Sequence, residues 1–123
     1  MTCRIAAAAL LALAAVPVAA QQAPWHSAVP AKFHGEWAVK PADCTSRNGE
    51  NVEGLTIDAT TIGHYDEVET VKRARLTSPV TLDYQGTLDT TDGSFASRGT
   101  LRLTPDGRQI VRVGRPNLSR CPK

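Results

Sequence analysis

Four arginines near the end of the chain, Arg98, Arg102, Arg108 and Arg112, are the residues best placed to act on another molecule. Guanidinium groups spaced along an exposed hairpin can grip carboxylates or phosphates on an extended partner. Exposed strands also carry charge simply to stay soluble and unpaired, and that plainer explanation covers the same residues. The histidines offer less. His34 and His64 both fall on expected strands, where a surface imidazole is the ordinary case, and with Asp66 they form a site only if sheet closure brings their strands together. The acidic run Asp66, Glu67 and Glu69 has neither calcium-loop spacing nor the paired acid and base of a glycosidase, and reads as a solvated strand end. Ser46, Ser78, Ser94 and Ser97 sit in turn-rich contexts without a nearby histidine. There is no Gly-x-Ser-x-Gly elbow, phosphate-binding glycine loop, dinucleotide fingerprint or His-Glu-x-x-His helix. The expectation is a protein that is not an enzyme, with no catalytic residues, no cofactor and no metal.

The cysteines carry the clearest chemistry. Met1 to Arg4 is a short basic start and Ile5 to Val16 an unbroken apolar run, the pattern of a secretory signal peptide over residues 1–20. Val18 and Ala20 supply the small residues for cleavage before Gln21. Cys3 leaves with that segment, so the chain keeps an even pair, Cys44 and Cys121, in an oxidising compartment. One disulfide is expected between them. A metal site is disfavoured, since neither cysteine has a Cys or His neighbour at ligand spacing. Localisation is therefore expected to be periplasmic or secreted. No later stretch approaches the roughly 20 apolar residues of a membrane helix.

The full chain of 123 residues carries 14 Lys and Arg against 12 Asp and Glu. So small a net charge gives no field for nucleic acid. The distribution is uneven, however: residues 21–70 hold 3 basic and 8 acidic side chains, and residues 71–123 hold 10 and 4. The second half is the candidate basic surface.

The elements that must position these groups are short strands. Residues 21–32, with Pro24 and Pro30, read as a flexible leader, and Trp25 within it is expected to tuck onto the protein's surface. A single domain then spans 33–123. His34 to Val39 alternates as a strand with Trp37 inward, and Pro41 to Gly54 is rich in turn-formers. Leu55 to Ile57, Ile62 to Tyr65 and Val68 to Leu76 follow as strands, and Val80, Leu82, Tyr84 and Leu88 share one face of the next. Thr104-Pro105-Asp106-Gly107 predicts a bulged hairpin in which Leu101 faces Val111 and Gly99 faces Val113, leaving the arginines outside. No amphipathic helix is visible. Turns recur every 8 to 12 residues or so, the spacing of an all-β sandwich or barrel. The simplest arrangement is a small antiparallel meander β-barrel of about seven or eight strands, a monomer with one disulfide.

At Gly35-Glu36-Trp37, followed by Cys44, the chain resembles the Gly-x-Trp opening of the calycin barrels, the lipocalin and avidin group. The resemblance implies a tryptophan closing one barrel end beneath an arginine from a late strand, for which Arg112 and Arg120 are available. It also implies a small apolar ligand in the barrel mouth, lined by Trp37, Tyr84 and Phe95. The layout from signal peptide through Phe-x-Gly-x-Trp to Arg120-Cys121-Pro122 looks like small uncharacterised periplasmic proteins of proteobacteria. The chain is similar, too, to small periplasmic barrel inhibitors of secreted metalloproteases, which act through an N-terminal segment; here that is Gln21 to Ala31. Two expectations follow: a non-catalytic binding barrel for a small apolar ligand, or a protein-facing module that binds an envelope or secreted protein through its leader or its arginines.

Overall fold

A computed structural model describes residues 23–123. The expected signal peptide and its cleavage point lie outside the described residues. Eight strands form one antiparallel sheet curled into a half-barrel: β1 (Gly35–Ala38), β2 (Leu55–Ile57), β3 (Thr61–Gly63), β4 (Val68–Ser78), β5 (Thr81–Thr90), β6 (Gly93–Arg102), β7 (Gln109–Ile110) and β8 (Leu118–Arg120). Their order, β6-β5-β4-β3-β2-β1-β8-β7, is a meander whose two ends meet at the hairpin 103–110. There the Leu103–Ile110 bridge joins them. The expected all-β class, strand number and antiparallel pairing are those of the structure.

Short polar side chains set the reversals. Asp58 turns β2 into β3 by accepting the Thr60 and Thr61 amides through Oδ1 at 2.8 and 2.7 Å, which holds its carboxyl below the usual range. Asp92 N–H donates to Thr90 Oγ1 at the β5–β6 tip, and Gly93 follows with φ of +129°, open to glycine. Between Val71 and Arg73 the β4–β5 register slips by one residue. That irregularity re-phases the strand. Glu69 and Val71 point into the curl before it, Ala74 points in after it, and Arg73 and Arg75 are left on the convex side.

Apolar side chains fill the concave face, with Trp37, Phe33, Ile57, Ile62, Leu82, Ile110 and Leu118 all essentially inaccessible. Two of the contributors precede β1. Val29 and Phe33 are buried in the curl, Val29 N–H donates to Ala59 O (2.8 Å), and the Lys32 ammonium donates to Pro79 O. His26 exchanges two backbone hydrogen bonds with Ala74, both 2.8 Å. Within residues 23–32, expected to be a flexible leader, His26 thus pairs with the half of β4 that β3 is too short to cover, while Val29 and Lys32 bond the β2–β3 and β4–β5 turns. The reason is unsatisfied backbone: β3 pairs only with Val68–Thr70, and the rest of that edge needs another partner.

The last hairpin differs from expectation by one residue. Thr104 pairs with Gln109 and Leu103 with Ile110, so Ile110 is buried while Val111 is partly exposed and Val113 fully exposed. Asp106 causes the change. Its Oδ1 accepts both Thr104 Oγ1–H (2.6 Å) and Arg108 N–H (3.0 Å), closing a loop one residue longer than a three-residue bulged turn. One residue inverts every facing position beyond it. Gly107 is in the left-handed region, as that turn requires. Cys44 and Cys121 form the expected disulfide, with Cα atoms 5.8 Å apart. It fixes the turn-rich segment 41–49 to the strand that ends the chain.

Candidate functional site

The convex face of β4, β5 and β6 presents the densest set of interacting side chains. In-register pairing sets Arg73 beside Gln85 and Arg98, and Arg75 beside Asp83 and Thr100. Trp25, one residue before the His26–Ala74 bridge, reaches over this face. The Arg73 and Arg75 guanidinium carbons lie 4.4 and 4.3 Å from its ring centre. Arg73 also donates from Nε and Nη2 to Gln85 Oε1, at 2.9 and 2.7 Å, and Thr100 Oγ1–H donates to Asp83 Oδ1 at 2.9 Å. Between them lies an open depression of about 390 Å³ lined by Trp25, Arg75, Asp83, Gln85, Arg98 and Thr100. Such an array suits a planar anion, which a guanidinium can meet with two parallel hydrogen bonds while the indole shields it from water.

The four expected arginines do not form one face. Arg98 and Arg102 belong to the convex array through β6. Arg108 projects from the turn after Asp106, and Arg112 turns away to donate to Pro116 O (2.9 Å) and Glu53 O (3.0 Å). The one-residue change of hairpin register separates them. Arg73 and Arg75 take their place, and the irregularity in β4 that brings them there leaves no mark on the alternation of the sequence.

The expected ligand-lining residues are also apart. Trp37 is wholly buried, its Nε1–H donates to Phe33 O (2.9 Å), and Arg120 stacks on its ring at 4.1 Å. The same guanidinium donates to His34 O (2.6 Å) and Lys32 O (2.8 Å), so an arginine from the last strand seals that end of the half-barrel. Tyr84 is buried and donates to Glu69 Oε2 at 3.0 Å. Phe95 stands at the other end, 54% exposed.

Glu69 is not the solvated strand end it was expected to be. Only 7% exposed, it is the one buried charged residue among the described residues, and His64 Nε2 meets its Oε2 at 2.9 Å opposite the Tyr84 hydroxyl. Burial opposes its charge, but the hydrogen bonds from His64 and Tyr84 outweigh that, holding the carboxyl below its ordinary value. The hydrogen bond to Glu69 raises the His64 pKa, and burial followed by the Glu69 charge pushes the Tyr84 phenol well above its usual range. The cluster therefore keeps a carboxylate ionised and an imidazole ready to protonate. That arrangement ties the end of β3 to β4 and β5. His34 is elsewhere, with Nε2 on Val29 O at 2.7 Å, so His34, His64 and Asp66 form no common site. The Tyr84 partnership was hidden in the sequence because 15 residues and a strand reversal separate it from Glu69.

No protein-family model, curated protein or solved structure matches this chain.

Proposed function

We propose that this protein is a non-catalytic binding module of the periplasm or the secreted space, and that it works through the convex face of β4–β6 on a partner protein that presents carboxylates. One observation carries this reading: the concave face is occupied by the chain's own Val29, Phe33 and Trp37, while Trp25 and the guanidinium groups of Arg73, Arg75 and Arg98 gather on the outside. An extended acidic segment laid across the three strands meets guanidinium groups on β4 and β6, two strand spacings or about 10 Å apart, with Gln85 and Asp83 of β5 between them. Each bidentate contact adds orientation as well as attraction.

The reading with a small apolar ligand draws support from a different feature, a depression of about 240 Å³ between residues 23–30 and β4–β5, lined by Pro24, Ala28, Ala74, Leu76 and Leu82. It is smaller than the usual pocket for a drug-sized molecule, which starts near ~300 Å³.

Fluorescence anisotropy of a labelled oligoglutamate peptide distinguishes the two. Binding is expected to weaken with salt and to lose about tenfold in affinity, roughly 1.4 kcal/mol, in each of Trp25→Ala and Arg98→Gln. A peptide that fails to bind, or that binds both variants as it binds the parent, removes the convex face from consideration. An apolar fluorophore that binds in proportion to chain concentration would then favour the second reading.

A further inference from the structure

We infer that the outer edge of β6 is an interface, and that its occupant is β6 of a second copy of this chain, paired antiparallel across a two-fold axis. It uses the backbone edge of the sheet rather than its convex face, and shares only Arg98 with the acidic partner proposed above.

The ladder fixes which groups are free. Leu103 N–H donates to Val80 O (2.8 Å), so odd-numbered residues of β6 turn their backbone groups toward β5 and even-numbered ones turn away. Arg102 follows that rule, its carbonyl accepting Val111 N–H at 2.8 Å. Before it, Ser94, Ala96, Arg98 and Thr100 point outward in the same way, are all exposed, and have no backbone partner on that side among the described residues. Elsewhere the sheet protects itself. Residues 25–26 cover the uncovered half of β4, and β7 is only two residues long. From Gly93 to Arg102 there is no proline, no lysine and no register shift against β5, and the charges of Arg98 and Arg102 leave residues 93–97 uncharged. A long exposed edge with an uncharged stretch is a template for another strand.

The side chains select a second copy and a register. A two-fold axis at Phe95 sets each Phe95 opposite the other as a non-hydrogen-bonded pair, where side chains approach most closely, and covers a ring that is 54% exposed in the single chain. It also sets Ser94 opposite Ala96, and Arg98 opposite Asp92 of the second copy. Asp89, which accepts a hydrogen bond from Ser94 Oγ, lies behind that contact. The acidic tip of each β5–β6 hairpin thereby meets the basic middle of the other β6, twice by symmetry. Moving the axis to Arg98 would place like charges face to face. The pairing departs from the monomer expected from the sequence.

Light scattering coupled to size exclusion tests it on the purified protein. The expected mass is twice that of one chain. Ala96→Pro removes an outward-facing N–H without touching the β5 ladder, and is expected to return the mass to one chain with an unchanged circular dichroism spectrum. Arg98→Glu, at an exposed position and checked by an unchanged circular dichroism spectrum, is expected to weaken association at least tenfold, and adding Asp92→Arg to restore it. Phe95→Cys is expected to give a covalent dimer on mild oxidation, because Cα atoms of such a pair lie about 4.5 Å apart, within reach of a disulfide. A parent protein with the mass of one chain at every concentration tested overturns the inference. So does a dimer that both Ala96→Pro and Arg98→Glu leave intact.

Discussion

Replacing Cys44 and Cys121 together by serine isolates the contribution of the one covalent cross-link to this domain. The bond joins residues 77 apart in sequence. In the chain-entropy account, closing a loop of that length removes about 4.5 kcal/mol of disorder from the unfolded chain at 25 °C. Little in the folded chain opposes such a loss. Cys44 and Cys121 are buried with Ala38 as a small cluster of their own, apart from the main core, and two serines there would bury hydroxyls in place of sulfur. The segment 41–49 offers only two single-turn helices and the Glu36 carboxylate, which accepts the Thr45 amide at 3.0 Å. For a domain of about 100 residues, 4.5 kcal/mol corresponds to about 20 °C in melting temperature. Urea unfolding followed by tryptophan fluorescence provides the assay, with parent and double variant compared at one pH. A loss of less than about 1 kcal/mol would refute the reasoning, since the unfolded chain would then already hold its ends together or the tail would be fixed by other contacts. A loss confined to residues 41–49 and 118–123, seen as fast amide exchange there alone, would refute it in a second way, by showing that the bridge tethers a periphery rather than the domain.

The His64–Glu69 pair should make stability depend on pH in a defined window. His64 has a folded pKa above its ordinary 6.5, so its contribution is complete below 6.5 and fades as pH rises through the folded value. Glu69 has one below its ordinary 4.5, so its contribution is complete above 4.5 and fades as pH falls through the folded value. His64→Gln is therefore expected to destabilise more at pH values between 4.5 and 6.5 than at pH well above the folded value of His64, as read by urea melts at both. An equal loss at both would remove the ion pair from the account. Arg120→Lys keeps the charge but loses the planar fork that spans His34 O, Lys32 O and the Trp37 ring, and is expected to cost about 1 to 2 kcal/mol. An unperturbed melting temperature in that variant would mean that the lid on Trp37 is ornamental.

Local chemistry of adjacent residues was open to inspection in the chain. Alternation in Leu82 and Tyr84, the Thr104-Pro105-Asp106-Gly107 turn and the Ser78-Pro79 break mark strands and reversals, because side-chain facing follows period two and turns need particular residues. An even cysteine pair was enough for the disulfide. Trp25 on the surface followed from aromatic size, whereas of the two arginines considered for Trp37, Arg112 and Arg120, only the structure selects Arg120. Other features depend on single-residue slips that alternation does not record. The shift at Lys72 turns Arg73 and Arg75 outward, and the extra loop residue at Arg108 turns Ile110 inward and sends Arg112 away from Arg98.

By itself, then, the sequence determined an all-β chain, its turns and its cross-link between Cys44 and Cys121, since each of these is a property of neighbouring residues or of a count. The tertiary structure alone decided which side chains share a face. It put Glu69 between His64 and Tyr84, drew Val29 and Phe33 into the curl, and assembled Trp25 with arginines of β4 and β6 on the outside. Those groupings arise from register and closure, where backbone hydrogen bonds across the sheet must all be satisfied together, and no local pattern encodes that sum.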